Sequence, residues 1–414
     1  MTTRFIHTAD LHLGKTYRRA RGETERYEDF FQCLSAIVSD AIREKVDFLL
    51  IAGDLFHTGQ ILPRTLARTM ETLSPLQEAG IPCVAIEGNH DWIHRRERLS
   101  WMEALAQMGL LYLLRPERDA DGGYIFAPYD TQKGEGGHVV IAGTNIYGLG
   151  YIGSMAGSHV PRICAAVGTS RNILLFHVGV WTYSPVEIGN MKPEEAAPLA
   201  EVFDYVALGH GHKPYQVLTP EGRPYAFNPG SPECVNFGEQ KYDKGYYLVT
   251  MDEAGKVDWE FRRTQPRPMH VLNFDLSGAG NAEEALGRFR EQLVQSLTAP
   301  KEGVAPLLEI KLVGKVGFHP FELSRDMLLS TFDPESLPLH IELKNQLSLS
   351  TQDSAEGASA RSLEEIERAV IEELIATSSV YQGRQAELTE LALALRTLIL
   401  SGEEDEELLG LIKD

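Results

Sequence analysis

The sequence predicts an α/β protein, a layered sandwich of strands and helices, followed by a small α+β domain and a C-terminal helical segment. Three observations carry that prediction. Five short apolar runs, FIHTADLH, FLLIAGDLFH, CVAIEGNHD, ILLFHVG and YVALGHGH, read as buried strands. Helical patterns lie between strand runs, as a layered α/β sheet requires. Beyond residue 267 a second, shorter alternation of strand and helix patterns begins.

In chain order, TERYEDFFQCLSAIVSDAIREK separates the first run from the second and PRTLARTMETLSPLQEAG the second from the third, both with helical periodicity. Residues 115–138, with DADGG and GEGG around YIFAPY, read as an irregular hairpin. Gly179 to Pro198 lacks clear periodicity and reads as a long loop near the site. NPGSPECVNFG, KGYYLVTMD and VDWEFRRT read as closing strands, with Gly230 and Ser231 on the substrate side. HVLNFDL, NAEEALGRFREQLVQSL, LLEIKLVGK, a short helix near 321–331 and LHIELKN then give a βαβαβ pattern. STQDSAEGASA has no large apolar residue and reads as a linker. After it, Leu363, Ile366, Val370 and Leu374, then Leu388, Leu391, Leu395 and Leu398, form apolar stripes that two helices alone cannot bury. The expected segments are 1–267, 268–346, 347–361 and 362–414.

Each of the five runs ends in a metal-binding residue type: Asp10 and His12, Asp54, Asn89, His177, then His210 and His212. Carboxyl ends of strands are where an open α/β sheet gathers its ligands. One histidine on an apolar strand is more often packed core, but five strand ends in series argue for a single centre. Carboxylate, amide and imidazole without thiolate suit two hard ions sharing Asp54; Mn²⁺ is favoured, with Fe²⁺ or Mg²⁺ as alternatives, over structural Zn²⁺. Two ions roughly 3.5–4 Å apart activate a water and offset charge on phosphorus, so phosphoester hydrolysis is expected. Strand alternation is expected to bring Asp10 and His12, and likewise His210 and His212, to one side, with Gly53, Gly88 and Gly209 letting the backbone approach the ions. His90 is expected to face the substrate as an acid or charge stabiliser, and Asp91 to orient an imidazole or cap a helix.

A formal net charge of −20 argues against a protein that coats nucleic acid over its whole surface. Residues 351–414 carry 15 acidic and 5 basic side chains, half of that charge. Near the motifs the balance reverses. Lys15, Arg18, Arg19, Arg21 and Arg26 follow the first motif and Arg95, Arg96 and Arg98 the third, so they are candidates for DNA phosphates. Tyr17 and Trp92 among them are candidates for stacking on an unpaired base. The start MTTRFIHTADLH lacks the features of a secretion signal and no run approaches the ~20 apolar residues of a membrane span, so a cytoplasmic, membrane-free protein is expected. Cys33, Cys83, Cys164 and Cys234 form no CxxC pair and are expected to be free thiols.

The motifs D-x-H, G-D, G-N-H-D, H and G-H-x-H occur in full and in order, and in them the sequence resembles the calcineurin-like metallophosphoesterase superfamily. ADLHLG (9–14), GDLFH (53–57), GNHD (88–91), GHGHKP (209–214) and NPGSPE (228–233) are similar to SbcD-type nucleases, which work with an SMC-like ATPase in double-strand-break repair. The resemblance implies a four-layer α/β/β/α metallophosphoesterase sandwich over 1–267, a capping domain over 268–346 and an ATPase-docking helical segment over 362–414. It implies that Asp10, His12, Asp54 and His212 hold one ion, and Asp54, Asn89, His177 and His210 the other. His90 would sit beside the scissile phosphate and His57 would help place the DNA. A homodimer and 3′-to-5′ digestion are implied in the same way. No phosphate-binding Gly-Lys-Thr motif is found, so any ATPase is another chain.

The expected function is a Mn²⁺-dependent DNA exonuclease, with hairpin endonuclease activity besides, acting in a repair complex. The competing expectations are a phosphodiesterase or phosphatase acting on small nucleotides or phosphoproteins, and a non-enzymatic DNA-end scaffold whose metals only stabilise the fold.

Overall fold

A computed structural model describes residues 2–17, 22–92, 99–168, 171–186, 188–296, 304–333, 337–350 and 384–401, together with 368, 371, 372 and 375. The chain divides into two compact units, one of Met1–Asp275, Leu286–Val313 and Leu323–Gln346, the other of Leu276–Ala285, Gly314–Glu322 and Leu347–Asp414.

Two six-stranded sheets organise the first unit. One runs Val257–Arg263, Gly245–Met251, Thr3–Thr8, Phe48–Ala52, Cys83–Ile86 and Tyr112–Leu113; the other Tyr215–Leu218, Pro224–Asn228, Tyr205–Leu208, Asn172–Phe176, Thr144–Leu149 and His138–Ile141. The motif-bearing strands pair in parallel, 3–8 with 48–52 and 48–52 with 83–86 in one sheet, 172–176 with 205–208 in the other. All five carboxyl ends therefore belong to central strands of two sheets.

The layers follow from which residues alternate. Ile6, Leu49, Ile51 and Ala85 pack with Phe30, Leu34, Ile37 and Leu73 of the helices Glu23–Glu44 and Pro63–Glu78. Their neighbours Phe5, Phe48, Leu50, Val84 and Ile86 meet Ile146, Ile173, Leu175, Tyr205 and Ala207 of the second sheet. Leu174, Phe176, Val206 and Leu208 in turn pack with Val160 and Ile163 of the helix Ala156–Ala165. Strands with period-two side chains that are apolar on both faces must be covered twice, and the result is the expected α/β/β/α sandwich.

His7, which carries no motif, ties the sheets together. Its Nε2 lies 3.0 Å from the Leu208 carbonyl and its Nδ1 2.8 Å from the Tyr205 hydroxyl. A carbonyl only accepts, so Nε2–H donates and Nδ1 receives the tyrosine proton. Burial pushes this imidazole down to about 3.

Beyond the sandwich, Met269–Asp275, Leu307–Val316 and His340–Leu349 form a three-stranded sheet in that order, with the helix Ala282–Ser296 between the first two strands in sequence. Met269, Leu307 and Leu339 pack with Cys234, Phe237 and Tyr17. Arg267 reaches both oxygens of Asp29 at 2.6 and 2.7 Å and the Ala305 carbonyl at 2.8 Å. In the second unit, Arg368 pairs with Glu390 of the helix Gln385–Ser401. Most of the first of the two helices expected there, including Leu363, Ile366, Val370 and Leu374, lies outside the described residues. No described helix is long and apolar enough to cross a membrane.

Candidate metal centre

The expected strand alternation at Asp10 and His12 is not what the chain does. The strand ends at Thr8, and Asp10, His12, Asp54 and His210 take left-handed φ values of 52°, 46°, 52° and 78°. Tight turns beyond the strand ends, rather than the pleat, aim these side chains at one place. The two turns hold each other in register: the amides of Asp10, His12 and Leu13 donate to the carbonyls of Gly53, Asp54 and Leu55 at 3.1, 3.0 and 2.8 Å. Gly53 has φ +89°, and a Cβ there would lie 2.2 Å from His177 Nδ1. A Cβ at Gly88 would lie 2.0 Å from Asp54 Oδ1, so close approach rather than φ demands glycine there.

Three of the four ring-bearing ligand candidates have one nitrogen committed away from the centre. His177 Nδ1–H donates to the Ala52 carbonyl at 2.7 Å, His210 Nε2–H to the Ile188 carbonyl at 2.6 Å, and His212 Nδ1–H to Glu239 at 2.7 Å. The opposite nitrogens converge. His177 Nε2 and His210 Nδ1 lie 3.2 and 3.0 Å from Asn89 Oδ1, and His212 Nε2 lies 3.0 Å from His12 Nε2. Asp54 takes the His90 amide on Oδ1 at 2.8 Å and turns Oδ2 toward both groups, 3.5 Å from His177 Nε2 and 3.9 Å from His12 Nε2. Asp10 likewise takes the His210 amide on Oδ1 at 3.0 Å, and its buried Oδ2 has no hydrogen-bond partner among the described residues.

An orphaned carboxylate oxygen and a set of converging lone pairs are what a cation site requires, so these residues fit divalent ions. Donor atoms of Asp10, His12 and His212 lie within 4.8 Å of one another, as do those of Asp10, Asp54 and His177. The chemistry of the set, oxygen and imidazole without sulfur, suits octahedral ions.

Electrostatics divide the imidazoles. Burial and then His177 push His210 down to about 4, and burial followed by His212 holds His12 well below its ordinary range. Burial alone would lower His177, but Asp54 and Asp10 outweigh it and raise the ring to about 9. Burial would raise Asp54, yet His177 and His12 hold it far below the usual carboxylate range, while burial drives Asp10 up.

His90 and His57 border this centre. His90 Nδ1–H donates to the His57 carbonyl at 2.8 Å, leaving Nε2 uncommitted among the described residues, with its ring 4.8 Å from that of His12. His57 stacks on His90 at 5.4 Å, meets His12 Nδ1 at 3.3 Å, and lies 3.2 Å from the Lys15 ammonium. Burial, then Lys15, lowers His57 to about 4. Trp92 is 55% exposed and stands edge-on to Tyr151, whose ring lies 5.3 Å from that of His210.

Several expectations are corrected. Arg26 is fully buried over the Phe30 ring and paired with Asp29 and Glu233, so it cannot meet DNA. Tyr17 stacks on His340 at 4.5 Å, so that ring face is not free for a base. Ser231 faces no substrate: it is buried and bonded to Glu239 and Lys244. Among the described residues Asp91 neither caps a helix nor touches an imidazole. Its carboxylate accepts from the amides of Leu55, Phe56 and Gly88 at 3.3, 2.9 and 2.9 Å, locking two ligand turns together, and burial with Asp54 pushes it up to about 8. Arg18, Arg19, Arg21, Arg95, Arg96 and Arg98 lie outside the described residues.

Sequence reasoning missed Glu239, Lys244 and Tyr151. Glu239 lies 27 residues from the histidine it holds, a separation that no local spacing marks. The unassigned segment after Gly179 also gains a place, since its Ile188 carbonyl anchors His210.

A sequence model described as calcineurin-like phosphoesterase matches residues 3–214. Among similar proteins named DNA double-strand break repair protein Mre11, that of Methanopyrus kandleri is 30% identical over 318 residues, covering 73% of this chain and 66% of the relative. That of Saccharolobus solfataricus is 27% identical over 341 residues, covering 81% and 79%, and that of Haloferax volcanii 30% over 290, covering 70% and 58%. The chain thus spans about two thirds of the first relative's length. With a family match over half its length and the family's motif residues gathered at one point, this chain belongs to the calcineurin-like phosphoesterases.

Proposed function

We propose that the protein is a DNA repair nuclease that hydrolyses phosphodiester bonds at a two-ion centre, with Mn²⁺ as the preferred metal and exonucleolytic digestion as its main activity. The observation that carries this reading is the convergence of seven ligand candidates with Asp10 Oδ2 unpartnered and three imidazoles pre-set by distant acceptors. Asp10, His12, Asp54 and His212 would hold one ion, and Asp54, Asn89, His177 and His210 the other. The ions, when bound, would lower the pKa of a water and offset charge on the phosphoryl oxygens.

The chain's own residues supply the rest. His90, with Nδ1–H pinned on the His57 carbonyl, offers Nε2 to a phosphoryl oxygen or to the leaving 3′- or 5′-oxygen. Lys15 brings positive charge beside His57, where a phosphate would pass. Trp92 offers an exposed face to an unpaired base. Residues 268–346 would act as a cap that shapes the DNA groove; the linker expected over 347–361 begins later, because the strand His340–Leu349 runs through its first three residues, and residues 362–414 would act as the docking segment for an SMC-like ATPase, with two copies pairing as a homodimer. The names of the relatives support DNA as the substrate.

The test compares Mn²⁺-dependent cleavage of linear duplex and single-stranded DNA with that of a chromogenic phosphodiester. DNA cleavage that disappears in Asp54→Asn and His90→Ala supports the reading. Activity confined to the small ester would favour a small-molecule phosphodiesterase, and DNA processing retained by His90→Ala would favour a scaffold.

A further inference from the structure

One carboxylate outside the ligand set organises half of the centre. Glu239, 3% exposed, accepts five hydrogen bonds. Its Oε1 receives His212 Nδ1–H at 2.7 Å and Asn236 Nδ2–H at 2.6 Å; its Oε2 receives Ser231 Oγ–H at 3.1 Å, the Val235 amide at 3.0 Å and the Lys244 ammonium at 2.5 Å. Lys244, also 3% exposed, donates further to Ser231 Oγ at 2.7 Å and to the His212 carbonyl at 3.2 Å. A single buried node thus grips His212 twice, by its ring through Glu239 and by its backbone through Lys244.

Among the described residues, the other half has no such carboxylate behind its imidazoles. His177 and His210 lean on neutral backbone carbonyls, of Ala52 and Ile188. The two half-sites also differ in donor type, for Asn89 Oδ1 stands beside His177 and His210, whereas Asp10, which lies within reach of both groups, and the imidazoles of His12 and His212 make up the other. A hydrogen bond from a ligating imidazole to a carboxylate fixes its tautomer and raises its basicity more than one to a carbonyl does.

We propose that Glu239, seated on Lys244 and Ser231, is the positioning residue of the Asp10/His12/His212 half-site and makes the two half-sites unequal, so that this half binds its divalent ion more tightly than the Asn89/His177/His210 half. The proposal rests on the two-ion reading above and adds an order of filling to it. Glu239 touches neither ion nor substrate; it acts through His212.

The experiment titrates the full chain with Mn²⁺ and follows the electron paramagnetic resonance signal of free Mn²⁺, a readout independent of catalysis. The unmutated protein is expected to take up two ions in two classes of distinct affinity. Glu239→Gln is expected to weaken the tighter class by about 10- to 100-fold and leave the weaker one in place. His210→Ala is expected to do the reverse. Ser231→Ala, which leaves the His212 contact intact, is expected to change neither class by more than a few-fold. Because Glu239→Gln leaves a buried ammonium without its counter-ion, the pair Glu239→Gln with Lys244→Met serves if the single variant does not fold, with the same expected loss. General structural damage would weaken both classes together. Two equal sites in the unmutated protein, or a Glu239→Gln protein whose classes are unchanged or fall in parallel, would overturn the inference. Failure of the unmutated protein to bind any Mn²⁺ would instead sink the two-ion reading, and this inference with it.

Discussion

Lowering the pH from 7 to 5 should destabilise the metal-free sandwich through His7, a buried residue that is not itself a ligand candidate. The ring is fully buried between the sheets, donating to the Leu208 carbonyl and accepting from the Tyr205 hydroxyl, and burial lowers it from 6.5 to about 3. The native state therefore refuses a proton that the unfolded chain accepts below pH 6.5. Stability from this group is whole above 6.5 and is lost progressively down to about 3. At pH 5, 1.5 units below the unfolded value and with ~1.36 kcal/mol per unit, the loss is about 2 kcal/mol. The assay is urea unfolding in EDTA at pH 7 and pH 5 for the wild type and for His7→Gln, which keeps one donor and one acceptor but cannot titrate. The variant should lose about 2 kcal/mol less than the wild type between the two pH values. Equal losses would refute the argument, as would a His7 proton resonance that titrates near pH 6 in the folded protein.

Other outcomes follow from the same geometry. His90→Ala should lower kcat for phosphodiester hydrolysis by about 10²- to 10⁴-fold while Mn²⁺ uptake is unchanged, measured by steady-state kinetics alongside a metal titration. Mn²⁺ at about 100 times its dissociation constant should stabilise the fold by ~2.7 kcal/mol per site, visible as a rise in Tm that EDTA reverses. Asp91→Ala strips the partner from three buried amides and should cost about 3 kcal/mol or more, read by chemical denaturation. Trp92→Ala should weaken binding of single-stranded oligonucleotides by about 1–3 kcal/mol and leave hydrolysis of a chromogenic phosphodiester unaffected.

The sandwich and the gathering of the motif residues were legible in the sequence because strand ends in a parallel sheet lie at one edge, so residue type and order alone carry the message. The conformation that aims them was not. Asp10 and His12 look like alternating strand residues, yet both turn left-handed past the strand end, a choice made by pairing with the 53–55 turn. Arg26 was misread by position next to basic neighbours, although the helical stripe of Phe30, Leu34, Ile37 and Ala41 places it on the inward face. Glu239 and Asp91 act through contacts that bridge distant turns, and such contacts leave no periodic trace.

The four left-handed ligand residues have a cost that outlasts the chemistry. An L side chain in that region is disfavoured by roughly 1–2 kcal/mol, less for aspartate than for histidine. Glycine or asparagine at Asp54 or His210 would relax the turn while dismantling the centre. Laboratory selection for heat tolerance in EDTA, without an activity screen, would therefore drift toward relaxed turns and a lost centre, and the earliest substitutions would fall at the rim where the two sheets meet.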